Sequence, residues 1–199
     1  VRARAVRGSW GTKISRLVAD VLALAPGEKA LVFSQWDELL AIAAAALRRN
    51  GVGHERLRGG GRRNKFEERL RNFRTGEGIT CLLLTLRQGA EGLTLTEATH
   101  VFLLEPVLNP ALEAQAVNRV HRVGQTRPTR VHRYIVQDTI EERIEQLSSA
   151  RRRHRQAKNP RGSNAENGEE EREGTGDEDE EEDEDGVLLG ASPAGGGGA

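Results

Sequence analysis

The sequence contains no methionine, a single cysteine and an aromatic content of 4%. With only Cys81 available, neither a disulfide within the chain nor a cysteine-built zinc site can form, which fits a reducing compartment. Cys81 lies inside the apolar run ITCLLLT and reads as a buried core thiol. The five histidines show no metal-ligand spacing, so no metal is assigned. No apolar run approaches the roughly 20 residues that cross a bilayer, and no signal-peptide pattern is present, so no membrane partner is expected. No internal repeat stands out. A phosphate-gripping GxxxxGK[ST] loop is missing too: Gly8–Lys13, GSWGTK, has neither its spacing nor its order, and there is no DExH acidic motif. The chain is therefore not expected to hydrolyse a nucleotide alone. Its start at Val1 reads as a piece of something longer.

The formal net charge of zero conceals a division. Fourteen Asp or Glu and one Arg lie in 166–185, which leaves 29 basic and 16 acidic residues, a net of +13, in 1–165. A part this basic points to a polyanionic partner. The acidic run is of a charge suited either to histones or to folding back onto the basic part.

Residues 1–11 are basic and glycine-punctuated, a connector. Thr12 is placed to cap a helix with Ile14, Leu17, Val18, Val21 and Leu22 at helical spacing, ended by Pro26-Gly27. Lys29–Ser34 reads as a buried strand, and Asp37–Arg49 as a helix with Leu39, Leu40, Ile42 and Leu47 inward. A short strand follows over His54–Arg58, a turn at Gly59-Gly60-Gly61, and a helix marked by Phe66, Leu70 and Phe73. Ile79–Thr85 and His100–Glu105 read as strands apolar on both sides, Thr129–Val136 as a less regular one. Asp138 is placed to open a last helix, with Glu141 completing a capping box and Ile140, Ile144 and Leu147 inward. Continuous apolar strands alternating with amphipathic helices predict a parallel sheet covered on both faces, an α/β domain over residues 12–149. The basic-then-acidic stretch 150–199 cannot bury enough apolar area to offset chain entropy and is expected to be a disordered tail.

The most informative stretch is Gln115–Gln125, QAVNRVHRVGQ. A helix should lead into it from Pro110, a residue tolerated in a first turn, with Asn109 as cap. Arg119 and Arg122 are three apart, so on a continued helix their guanidiniums project side by side. Two planar, always-charged forks suit the oxygens of a nucleotide triphosphate. On spacing alone the stretch is equally a solvated basic face.

Four blocks, in order, resemble the second RecA-like lobe of superfamily-two helicases, and specifically the Swi/Snf-type DNA-dependent ATPases. They are ALVFSQW at Ala30–Trp36, GAEGLTLT at Gly89–Thr96, the QxxxRxHRxGQ block at Gln115–Gln125, and TIEERI at Thr139–Ile144. The stretch Ala98–Arg133 is similar to the branch that carries a RING ubiquitin-ligase module, which includes DNA-repair and chromatin-remodelling proteins. The resemblance implies a motor lobe that closes over ATP, with Mg held mainly by a first lobe outside this sequence. It implies Arg119 and Arg122 as catalytic arginine fingers, Gln115 as a nucleotide-positioning residue, and Gly89 and Gly92 as a backbone approach to phosphate. Gln125 is expected to stabilise the turn after Gly124, and His121 to pack or hydrogen-bond. For double-stranded DNA it implies contacts from Ser34, Gln35, Trp36, Thr85 and Arg87, with charge from Arg127 and Arg130. Nucleosomes or histones are further partners it implies, and the nucleus is the implied location. The glycine loop departs from the usual GGxGLNL at Ala90, Glu91 and Thr94, and Arg58 stands where the family usually has the Asp of RLDGS. A contact through that Asp is not carried over. The irregular loop also fits an alternative, a degenerate lobe serving as a scaffold for histone binding or ubiquitin transfer.

Overall fold

The computed structural model describes residues 5–59, 63–90 and 93–158. Its strands are β1 (Ala30–Ser34), β2 (Gly53–Arg56), β3 (Ile79–Thr85), β4 (His100–Leu103) and β5 (Arg130–Arg133). They form one parallel sheet in the order β2-β3-β1-β4-β5. The helices are α1 (Thr12–Leu22), α2 (Asp37–Arg49), α3 (Arg63–Thr75), α4 (Leu86–Ala90), α5 (Pro110–Val117) and α6 (Ile140–Lys158). In the register, Ser34 pairs with Thr85, Phe33 with Leu103, and Leu103 with Arg133, so the carboxyl ends of β1, β3, β4 and β5 lie close to level.

Period-two alternation sorts the strand residues between two apolar layers. Val32, Cys81, Leu83 and Phe102 face Leu17, Val18, Leu40 and Leu47 of α1 and α2. Leu31, Phe33, Leu82 and Leu84 face the layer that holds Leu70 and Phe73 of α3 and Ala116 of α5. This is the RecA-like α/β sheet expected, with helices on both sides. Burial pushes the Cys81 thiol up to about 12, so the sulfur stays protonated and inert, as a core thiol should.

Several boundaries differ from the sequence reading. Thr12 is the first residue of α1 rather than its cap; Gly11 caps it at φ 75, without a side-chain bond. The second strand begins at Gly53, where a side chain would put Cβ 1.8 Å from the Gly78 carbonyl oxygen, and ends at Arg56. Ile42 is 47% exposed rather than inward. Gly60 and Gly61 of the expected turn lie outside the described residues.

The last helix departs most. Asp138 sits before it in a left-handed conformation, φ 57, and the Thr139 hydroxyl accepts from the Glu141 amide instead. Glu141 turns its carboxylate to the Val136 amide (3.0 Å) and to Lys13 Nζ (2.6 Å), so the box forms across the chain rather than within the turn. Ile140 and Leu147, expected inward, are exposed. The face that meets the body is polar: Ser148 is fully buried, and Arg152 reaches Glu113. The helix runs on to Lys158, past the expected boundary at 149, because these contacts hold a segment whose composition alone would not fold. Residues 159–199 lie outside the described residues.

Candidate functional site

In a parallel sheet, ligands bind beyond the carboxyl ends of the strands, where the loops gather. Here that edge brings together Ser34–Trp36 after β1, Thr85 and α4 after β3, and Leu104–Asn109 after β4.

Helix α5 opens as its sequence dictates. Asn109 Oδ1 accepts from the Ala111 amide (3.0 Å), and Pro110 occupies the first turn, where its missing N–H goes unnoticed. The helix stops at Val117, before either arginine. Tight turns follow, with the Val120 amide on the Val117 carbonyl (3.0 Å) and the Arg122 amide on the Val120 carbonyl (3.1 Å). The Leu95 amide takes the Arg119 carbonyl (2.9 Å), which draws the backbone out of the helical path. Arg119 and Arg122 therefore do not share a helix face as expected. They converge by another route: Arg119 Nε donates to the Gly89 carbonyl (3.1 Å), and Arg122 Nη1 donates to Thr94 Oγ1 (2.9 Å). Both guanidiniums thus reach the segment that follows β3, and Arg122 is exposed.

The same segment is braced from several sides. Gln125 Nε2 donates to the carbonyls of Thr96 and Ala98, both at 2.9 Å, and its Oε1 accepts from the Arg127 amide (3.0 Å). It does stabilise the turn after Gly124, which has φ 102, and it also staples that turn to the approach of β4. Arg127 Nη2 donates to the Glu97 carbonyl (2.7 Å), and Arg74 Nη2 to the Thr94 carbonyl (2.8 Å).

Gly89 sits within α4, not in an open glycine loop. A Cβ there would lie 2.5 Å from Phe33 Cε1 and 3.3 Å from Ala116 Cβ, so glycine is required for α4, α5 and β1 to approach this closely. That packing need accounts for the glycine without a phosphate. Gly92 lies outside the described residues. Gln115 is exposed on α5, and His121, expected to pack, is exposed on the turn.

Of the residues expected at DNA, three present themselves. Trp36 is 64% exposed at the head of α2, and Gln35 and Arg87 are exposed on either side of the β1–β3 edge. Ser34 is a correction: it is fully buried, donates to Glu105 Oε1 (2.9 Å) and accepts from the Trp36 amide (2.9 Å). Its hydroxyl shapes the loop instead of facing outward. Thr85 Oγ1 is likewise engaged, donating to Gln88 Oε1 (3.1 Å).

Glu105 and Gln88 are the residues that sequence reasoning missed. Glu105 also accepts from the Gln35 amide, and burial holds its carboxyl above the ordinary range against the pull of those two bonds. An acid at the end of an otherwise apolar strand run was the available signal. Buried Gln88 receives both the amide and the hydroxyl of Thr85, ending β3 and starting α4. A concavity of about 640 Å³ between α1 and β5, lined by Lys13, Arg16, Asp20, His132 and Tyr134, includes neither arginine. The turn over 121–124 is exposed at the surface.

Comparison with known proteins agrees with this architecture. The helicase conserved C-terminal domain family matches residues 12–124. The E3 ubiquitin-protein ligase SHPRH of Homo sapiens is 46% identical over 153 residues, which is 75% of this chain and 9% of that protein. The DNA repair protein RAD5B of Arabidopsis thaliana is 43% identical over 127 residues, 64% of this chain and 10% of that protein. The crystal structure of the C-terminal part of the Fun30 ATPase domain superposes with a TM-score of 0.65 at 30% identity, over 68% of this chain and 44% of that one. The chain spans about a tenth of the length of these curated relatives. It belongs to the helicase conserved C-terminal domain family, on the Swi/Snf-type branch of superfamily two.

Proposed function

We propose that this chain is the second motor lobe of an ATP-driven double-stranded-DNA translocase acting on chromatin in the nucleus. The observation that carries the reading is that Arg119 and Arg122 both bond to the segment between β3 and β4, Arg119 to Gly89 and Arg122 to Thr94. The residues fit the closing half of a nucleotide site: two permanently charged forks, with Arg122 exposed and hydrogen-bonded to a neutral hydroxyl. ATP supplies the phosphoryl group, with Mg held mainly by a first lobe. Arg119 and Arg122 are the fingers that neutralise charge developing on phosphate oxygens, and Gln115 orients the nucleotide from α5. Fixed cations aimed at developing charge need no reorganisation during reaction, which is why this device is strong. Gly89 contributes through its carbonyl, which holds Arg119.

Duplex DNA lies across Gln35, Trp36 and Arg87, with Ser34 and Thr85 shaping the loops behind them. Such contacts position phosphate without reading sequence, and affinity falls by about 0.9 log units per neutralised phosphate for each tenfold rise in salt. Nucleosomes are the natural form of that duplex, and the net charge of +13 over 1–165 supports a polyanionic partner.

The test is Arg122→Ala in the protein joined to its first lobe. DNA-stimulated ATP hydrolysis should fall by about 10³–10⁵ while duplex binding stays nearly intact. Unchanged turnover removes the finger role. A second reading, a scaffold for histone binding or ubiquitin transfer, is supported by the ubiquitin-ligase name of the 46% identical relative. An intact two-lobe protein that shows no DNA-stimulated turnover would favour it.

A further inference from the structure

Two elements close on the beginning of α5. From α6, Ser148 Oγ donates to the Val107 carbonyl (2.6 Å) and Arg151 Nη1 to the Leu108 carbonyl (3.0 Å). Arg152 Nη1 donates to Glu113 Oε2 (3.0 Å). From β5, Arg133 Nε donates to Glu113 Oε1 (2.8 Å). Glu113 is 3% exposed and sits in the first turn of α5, so a carboxylate out of water has each oxygen matched by a guanidinium. Arg152 is itself steadied by Glu145 and by Ser149 Oγ (2.8 Å).

Less than one turn further on, α5 bears on α4, where Ala116 stands against Gly89. The helix has only eight residues, too few to hold a position by its own hydrogen bonds. Its placement is therefore set by the contacts made at Glu113 and Ala116, and the turn carrying Arg119 and Arg122 begins where it ends.

We propose that Arg152 is a positioning residue for the arginine-bearing turn: by gripping Glu113 it fixes α5, and with it the reach of Arg119 and Arg122. The inference rests on the reading of those two arginines as fingers. Arg152 touches no reactant. Its effect is through geometry, and misplacement by about 1 Å is enough to lower such catalysis about 10²-fold.

Arg152→Met keeps an unbranched stem and removes the charge and the donors. In the two-lobe protein, kcat for DNA-stimulated ATP hydrolysis should fall on the order of 10-fold to 10²-fold, with little change in KM for ATP, because an interaction made in the transition state is what slips. Arg152→Lys should recover part of the loss. Hydrogen exchange on this chain gives a readout that a merely stabilising residue would not produce. In Arg152→Met the amides of Leu112–Asn118 should exchange faster while those of β1 and β3 are unchanged, whereas lost global stability accelerates all of them together. Uniform acceleration, no acceleration, or a local acceleration with kcat intact each overturns the proposal. Should Arg122→Ala retain full turnover, the finger reading falls and takes this inference with it. Loss in Arg122→Ala with intact turnover in Arg152→Met overturns this inference alone.

Discussion

The centre of the sheet and its β5 edge are held together by different forces. Strands β1 and β4 are buried at every residue, with an apolar layer on each face. Each Leu or Phe placed there stabilises by about 1.5–3 kcal/mol, whatever its exact partner. At the β5 edge, Arg130 and Arg133 are exposed and Val131 and His132 half-buried. The elements that close it, α5 and α6, are joined through Glu113, Arg133, Arg152 and Glu145. Non-directional burial makes a scaffold that tolerates substitution of one apolar residue for another. A matched set of charges makes a corner that depends on each member, because removing one leaves another unpaired. The arginine turn stands between the two, with Val120 buried in an apolar layer and its approach through α5 tied to the charged corner.

The largest effect should come from the corner. Glu113→Ala leaves Arg133 without its counter-charge and Arg152 with Glu145 alone, beside the small gap that the buried carboxylate filled. Breaking a buried pair in this way costs about 3–5 kcal/mol, as much as deleting a core phenylalanine side chain. Urea unfolding of Glu113→Ala and Phe102→Ala should therefore give losses of similar size. A loss under about 1 kcal/mol for Glu113→Ala would place the corner among exposed ion pairs, which contribute little, and dissolve the contrast.

The contrast also explains what could be read in the sequence. Strands β1, β3 and β4 announce themselves because an uninterrupted apolar run has few alternatives to a two-sided sheet. The start of α5 was equally legible, since the Asn109 cap and Pro110 act within their own turn. What escaped were features that depend on a partner far along the chain. Ser34 looked like a phosphate donor because its acceptor, Glu105, is 71 residues away in sequence. The periodic Ile140, Ile144 and Leu147 predicted an apolar inner face for α6, yet Lys13, Val107 and Glu113 recruit its polar side. Propensity extends the helix through Arg122, yet the bond from the Leu95 amide to the Arg119 carbonyl accompanies its end at Val117. In each case a tertiary hydrogen bond overrode a correct local preference.

A smaller effect is expected where centre and corner touch. Gly89 has no left-handed backbone requirement, so Gly89→Ala is a steric test alone. The new Cβ meets the ring of Phe33, which is fully buried and has no room to swing. Overpacking of this kind costs about 1–3 kcal/mol. Pairing it with Phe33→Leu should return part of that loss, since the smaller side chain removes the obstructing ring edge. Additive losses in thermal unfolding would mean that α4 moves instead, and that the central layer is less rigid than its burial implies.

The smallest effect concerns acid. On β4 and β5, His100 Nδ1 and His132 Nε2 lie 3.1 Å apart, so one must donate to the other, and the bond is lost if both rings are protonated. Burial, and then the neighbouring His100, lower the His132 pKa; Arg130 and Arg16 add to this and Asp20 opposes it. A base whose folded value is depressed supplies stability that is complete above its ordinary value of 6.5 and is lost as pH falls through that value toward the folded one. Glu28, lowered by the Ala25 amide and by His100, loses its contribution only below its ordinary value of 4.5. Between about pH 7 and pH 5, His132 is therefore the group of these two that titrates. His132→Phe keeps a ring 4.6 Å from that of Phe102 and cannot take up a proton. Its unfolding midpoint in urea should fall less than that of the parent chain over this range. A central variant such as Phe33→Leu should instead shift both midpoints by the same amount. Identical acid sensitivity in His132→Phe and the parent would show that protonation of His132 is not what weakens the chain over this range.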